Sequence, residues 1–203
     1  MSKRQDFLKK ICDELYKCKI HLNKRSEATK MLNNIVSQIS AQYHYNVWAH
    51  HLTEKVNNKC HLKNKEWLYD LVCYKYKEGV HYSLNDTILV MESEWGGKSR
   101  NKDGDLYGEV KFDFQKLLLS NSSIKLLVFC THGPHELINQ LYEYFQERIN
   151  EYNQIDKNSI FVFVRYSNSW KCCDIKTYSI EDGWNEYVDG VFKNNYCDSV
   201  QGI

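Results

Sequence analysis

Apolar positions recur along this chain in two periods, and the switches between them lay out the expected elements. Phe7, Ile11, Leu15 and Cys18 fall at helical spacing, as do Leu32, Ile35, Val36 and Ile39 after Ser26, a residue suited to cap a helix. Two amphipathic helices are predicted there. A third is predicted over residues 45–56, where Trp48, Leu52 and Val56 line one side before the polar break at Asn57 and Asn58. Residues 66–76 and 86–95 are then rich in aromatic and β-branched side chains, and residues 77–85 between them carry Gly, Ser and Asn, so the pair reads as an antiparallel hairpin. Helical spacing returns over 107–120, with Val110, Phe114, Leu117 and Leu118 on one side. Residues 124–130 form a compact apolar run of strand length. Pro134, the only proline, suits the first turn of a helix over 135–152 that presents Leu137, Ile138, Leu141, Phe145 and Ile149. Residues 160–166 are apolar throughout, as in a strand covered on both faces.

Strand, helix, strand is a crossover unit that pairs its strands in parallel, so the sheet is expected to be mixed. The predicted class is α/β (α+β), with a mixed β-sheet of about five strands flanked by helices. One domain is expected over 1–203: a helical part at 1–60, the α/β core at 61–180 and a cap at 181–203. Residues 171–180 are expected as an edge strand, and the tail with Trp184, Tyr187 and Phe192 as a docked cap or short helix.

The hairpin carries chemistry that a core does not need. Side chains alternate along a strand, so Ile88, Val90, Glu92 and Glu94 are expected on one face, with the two carboxylates about 7 Å apart. If the turn lies near His81, Asp70 falls opposite Glu92, each 11 residues from that midpoint. Three converging acids raise each other's pKa unless a cation sits among them, and hard oxygen ligands suit Mg²⁺ or Mn²⁺. The bland alternative is a solvated sheet face, but Glu92 and Glu94 continue an apolar face.

An Asp in the first strand followed by Glu-Ser-Glu-Trp at the end of the second resembles the active-site hairpin of the PD-(D/E)XK nuclease superfamily, and more narrowly its Glu-x-Glu branch among restriction endonucleases. The resemblance spans residues 60–130 and implies a restriction-endonuclease-like core with N-terminal helices. It implies a metal-dependent DNA endonuclease that hydrolyses phosphodiester bonds, with a role in restriction or phage defence. Asp70, Glu92 and Glu94 would ligate Mg²⁺ (or Mn²⁺), or Glu94 would act as the base that orients water. Glu94 stands where that superfamily commonly has a catalytic Lys. Lys116, in Asp-Phe-Gln-Lys-Leu-Leu on the following helix, is the candidate migrated lysine, with Lys111 second. Glu54 is a further candidate carboxylate on the preceding helix, where a solvated Glu is the simpler reading.

Charge and composition adjust this picture. Net charge is +1, but residues 1–30 hold nine Lys/Arg against four Asp/Glu and residues 181–203 hold five acids against Lys193. The basic end, together with Lys98, Arg100 and Lys102 in the loop leaving the acidic patch, is placed to track a polyanion's phosphates, although Lys-rich helices commonly have merely solvated faces. DNA is the expected partner, with a homodimer allowed and no membrane association. Gly96-Gly97-Lys98-Ser99 is not a nucleotide loop, because position 92 is Glu where the first Gly would stand. The eight Cys include no Cys-x-x-Cys pair, and no apolar run approaches roughly 18 residues, so a cytoplasmic protein with reduced thiols is expected. His44, His50, His51, Cys60 and His61 could suit zinc, but the i, i+4 histidine pair of a zinc helix is missing. Two other functions stand beside nuclease: a catalytically inactive nuclease-fold module that binds nucleic acid or a protein partner, and a carboxylate enzyme such as a glycosidase, for which no sugar-binding pattern is present.

Overall fold

The computed structural model describes residues 2–18, 20, 25–53, 62–64, 68–76, 84–97, 105–131, 133–167 and 172–194. The order is α1 (Lys3–Lys17), α2 (Arg25–Gln42), β1 (Asn46–Ala49), β2 (Leu62–Asn64), β3 (Leu71–Tyr76), β4 (Leu84–Gly97), α3 (Gly108–Leu118), β5 (Ile124–Thr131), α4 (His135–Glu151), β6 (Ile160–Tyr166), β7 (Cys172–Ser179), β8 (Gly183–Val188) and β9 (Val191–Asn194). Among the described residues this is a mixed α/β fold with four helices and one open sheet of nine strands, ordered β2-β1-β3-β4-β5-β6-β7-β8-β9. None of these helices is long and apolar enough to cross a membrane.

The centre of the sheet is an antiparallel β3–β4 pair extended by β5 and β6, each parallel to its neighbour. β5 is buried at every residue, as a strand covered on both faces must be. On one face α1 and α2 pack Phe7, Ile11, Leu15, Leu32 and Val36 against Leu89, Met91, Leu126 and Val128. On the other, α3 and α4 pack Phe114 and Phe145 against Phe129 and Phe163, and the Phe145 and Phe163 rings stack at 4.8 Å. Fully burying one such aromatic contributes about 1.5–3 kcal/mol, so each helix is anchored by several kilocalories.

Three expectations are corrected. Residues 46–49 form a strand, not a helix: Val47 and Ala49 are buried toward α1 and α2 while Trp48 packs on the opposite layer, a period of two. Pairing with β3 over Asn46↔Tyr74 to Ala49↔Leu71 supplies the backbone hydrogen bonds that a helix would otherwise have supplied. The sheet has nine strands instead of about five, because β1 and β2 extend one side and the tail folds as strands on the other. β7 is therefore not an edge, and Tyr187 and Trp184 serve opposite layers. Pro134 sits one residue before its helix, as the N-cap, instead of in the first turn. Glu54, His61, the turn at 77–83 and the segment 98–104 with Lys98, Arg100 and Lys102 lie outside the described residues.

Candidate active site

A row of side chains crosses β1, β3 and β4 on the layer that faces α3, where Trp48, Val72 and Val90 stand side by side. The β3–β4 pairing ends at Leu71↔Met91; Glu92 follows on β4, and Asp70 lies in the bend just before β3. Ile88 does not share that face. The register shifts between Cys73 and Tyr74, which skips Ile88 and turns it with Leu89 into the opposite layer.

Glu92 is 2% exposed, and a carboxylate that deep needs a partner. Lys116 is that partner. Val110, Phe114 and Leu117 bury one stripe of α3, and Lys116 on the flank of that stripe brings Nζ to 2.7 Å from Glu92 Oε1 and 3.2 Å from Asp113 Oδ1. The Tyr69 hydroxyl donates to the Lys116 carbonyl at 3.3 Å, tying α3 to the residue beside Asp70. Lys111 goes elsewhere: its ammonium meets Asp105 at 2.8 Å and lies over the Tyr144 ring.

Burial dominates the electrostatics here. It pushes the Glu92 carboxyl up to about 8, against the pull of Lys116 and with further upward pressure from Asp70 and Asp113. Burial also raises Asp113, to about 6; Lys116 opposes this, while Glu94 and Asp70 add to it. Burial disfavours the Lys116 cation, but Glu92 and then Asp113 outweigh that, so its pKa stands above the ordinary lysine value. The result is one half-buried cation among acidic groups whose charged forms repel one another.

Asp70 is positioned from the other layer. Its Oδ2 accepts from the Ser93 amide at 2.8 Å and the Ser93 hydroxyl at 2.6 Å. Because the Ser93 hydrogen is committed to that carboxylate, the 2.9 Å contact to Thr29 on α2 has Thr29 donating, and Thr29 in turn accepts from the Trp95 indole at 2.9 Å. Hydrogen bonds to a charged group are worth about 1.5–3 kcal/mol, so Ser93→Ala is expected to lower unfolding free energy by about that much, measured by urea denaturation at pH 7. Truncation of solvent-facing Glu109 should cost nothing comparable.

Glu94 is less drawn in. Its Oε1 accepts from the amide of Gly96, and a Cβ at Gly96 would sit 2.4 Å from that oxygen, so glycine is what permits the approach. Asp70, Glu92 and Lys116 thus converge from three elements, with Glu94 on the border. Asp113, Tyr69, Ser93 and Thr29 join them beyond the residues expected from sequence. Of these, Asp113 alone carries a signal in the sequence, its i, i+3 spacing to Lys116. Of the lysines on α1, Lys9 pairs with Asp13 and both Lys10 and Lys17 pair with Glu14, while the Lys3 ammonium lies over the Tyr45 ring.

Comparison of the chain with protein-family models, curated proteins and solved structures finds no match.

The donors' chemistry fits a hard divalent cation beside Asp70 and Glu92. Both are carboxylates, and a charge of +2 would relieve the burial and repulsion that raise Glu92. Among the described residues no group of three or more His, Cys, Asp and Glu is placed to hold a metal, so such an ion would complete its shell with water or substrate oxygens, as Mg²⁺ commonly does.

Proposed function

We propose that the protein is a metal-dependent endonuclease of restriction-endonuclease-like type, with Asp70 and Glu92 holding Mg²⁺ or Mn²⁺ and Lys116 as its migrated lysine. The observation that carries this reading is the Lys116–Glu92 contact at 2.7 Å, with a half-buried ammonium on a buried carboxyl one residue beyond the Leu71↔Met91 pair, where the other chain segment reaches Asp70. A fold needs no such trio; removing desolvated charges of this kind in favour of apolar residues is often neutral or stabilising. A bound divalent cation supplies a lowered pKa for attacking water and charge neutralisation at phosphorus. Asp70 is held by Ser93, the residue next to Glu92 on β4. Lys116 places a positive charge where negative charge grows on the phosphoryl oxygens, and its packing on α3 fixes that charge before substrate arrives. Glu94 is the proposed acceptor for the water proton, and DNA contacts by Lys98, Arg100 and Lys102 belong to the same proposal, as do a cytoplasmic location and an allowed homodimer.

The alternative is an inactive module that keeps the fold to bind nucleic acid or a protein. Incubating supercoiled plasmid and, separately, RNA with the protein and Mn²⁺, with and without chelator, decides between them. Chelator-sensitive nicking is expected for DNA; intact plasmid and RNA across the Mn²⁺ series would favour the module.

A further inference from the structure

The apolar stripe of α2 runs through Ala28, Leu32, Val36 and Ile39, all buried against the sheet. One turn earlier the same stripe reaches Arg25, three residues before Ala28 and four before Thr29, and there it stops being core: Arg25 is exposed. Thr29 fixes where that arginine goes. Its hydroxyl donates to Ser93 at 2.9 Å and accepts from the Trp95 indole at 2.9 Å, which pins the start of α2 to the end of β4. Farther along the helix the buried Asn33 amide acts as a clamp, donating to the His50 carbonyl at 3.1 Å and to the Asp70 carbonyl at 3.4 Å. A Cβ placed on Gly96 would crowd Glu94 Oε1 and sit 3.6 Å from Arg25 Nη1, so the guanidinium and the Glu94 carboxylate flank one glycine. The two do not form an ion pair. Glu94 Oε1 accepts from the Gly96 amide, and Arg25 makes no hydrogen bond or ion pair among the described residues. Arginine is always charged in a protein, and its planar fork of donors here faces solvent at the border of the acidic site.

We infer that Arg25 binds a backbone phosphate of the DNA, next to the phosphodiester being cut. The inference rests on the nuclease reading and adds to it a second cation, one that enters from the opposite layer of the sheet. Lys116 comes from α3 and reaches Glu92; Arg25 comes from α2 and reaches the end of β4 beside Glu94, two residues on and about 7 Å along the strand. Carboxylates repel a polyanion, so cations on both flanks are what let a strand settle over them. The fork of Arg25 can take two oxygens of one phosphate, a geometry that the point charge of a lysine does not offer. Contact with a phosphate that does not react stabilises ground state and transition state alike. Arg25 therefore governs affinity, whereas Lys116 governs rate.

Single-turnover cleavage of a duplex oligonucleotide with Mn²⁺, followed over a range of protein concentrations, separates the two roles. Arg25→Ala is expected to raise the half-saturating concentration about tenfold, to keep the maximal rate within about threefold of wild type, and to lower the slope of log affinity against log salt by about one. Arg25→Lys should recover the salt slope but only part of the affinity, because charge returns without the fork. Lys30→Ala removes the same charge about 140° round α2 and should change neither quantity. Duplexes in which single phosphates are replaced in turn by uncharged methylphosphonates locate the contact: one replacement should weaken the wild type about tenfold and leave Arg25→Ala unaffected. Wild-type half-saturation and salt slope in Arg25→Ala, a loss confined to its maximal rate, an equal loss in Lys30→Ala, or methylphosphonate losses that are the same in both proteins would each overturn the inference while leaving the nuclease intact. A wild type that neither binds nor cuts the duplex overturns the nuclease reading and Arg25 with it.

Discussion

Lys116→Ala is expected to lower single-turnover cleavage of duplex DNA by about 10²-fold or more with little change in DNA affinity, the scale of losing one preorganised electrostatic contact. Its ammonium sits 2.7 Å from a carboxylate that is 2% exposed, so the charge is already in place in the resting protein. Lys111→Ala is the matched control. It lies on the same helix, but its ammonium is engaged with Asp105 and the Tyr144 ring and does not reach Glu92, so it should cut at the wild-type rate. Normal cleavage by both variants would mean that no lysine of α3 has migrated into the chemistry.

Glu92→Gln is expected to abolish cleavage while making the metal-free protein more stable in alkali. The sign follows from proton linkage. Glu92 holds its proton up to about 8 in the folded protein against an ordinary value of 4.5, so between these values the folded state binds the extra proton and stability falls as pH rises. Asp113, raised to about 6, adds a fall in the same direction over the lower part of that window. A tenfold difference in proton affinity between the folded and unfolded chain is worth about 1.4 kcal/mol, and even after discounting for the shared charge of Lys116 the wild type should lose a few kcal/mol between pH 5 and 8. Urea unfolding in chelator at half-unit pH steps measures it. Glu92→Gln should show a much shallower decline and exceed the wild type at pH 8; a wild type whose stability rises across this range would contradict the burial of Glu92 as the source of its raised pKa.

What is legible in the sequence is local. The arms around Asp70 and Glu92 are strands because their β-branched and aromatic residues alternate, and counting outward from position 81 reaches the register that pairs Leu71 with Met91. Lys116 is reachable because the apolar stripe of α3 is regular, which leaves its flanks predictable. β1 reads as a helix because Trp48 and Leu52 lie four apart, a helical interval that also arises when two strand and loop residues serve different layers. The last hairpin does have a signal: Asp189-Gly190, both left-handed at φ of 51° and 82°, is the dipeptide that joins β8 to β9. The bulge at Ile88 has none, since nothing in Asp-Thr-Ile-Leu says which residue will be skipped. Nor does the Thr29–Ser93–Asp70 chain or the Asn33 clamp, in which residues 64 and 37 positions apart meet only once the sheet and α2 have docked.

The central claim is that Asp70 and Glu92 together hold a divalent cation. Calorimetric titration of Mn²⁺ into the wild type and into the double variant Asp70→Asn/Glu92→Gln, at pH 8 where Glu92 reaches its charged form, tests it most directly. Saturable binding to the wild type that disappears in the folded double variant is the predicted result; equal Mn²⁺ affinity in the two proteins, or no binding to either, would contradict it.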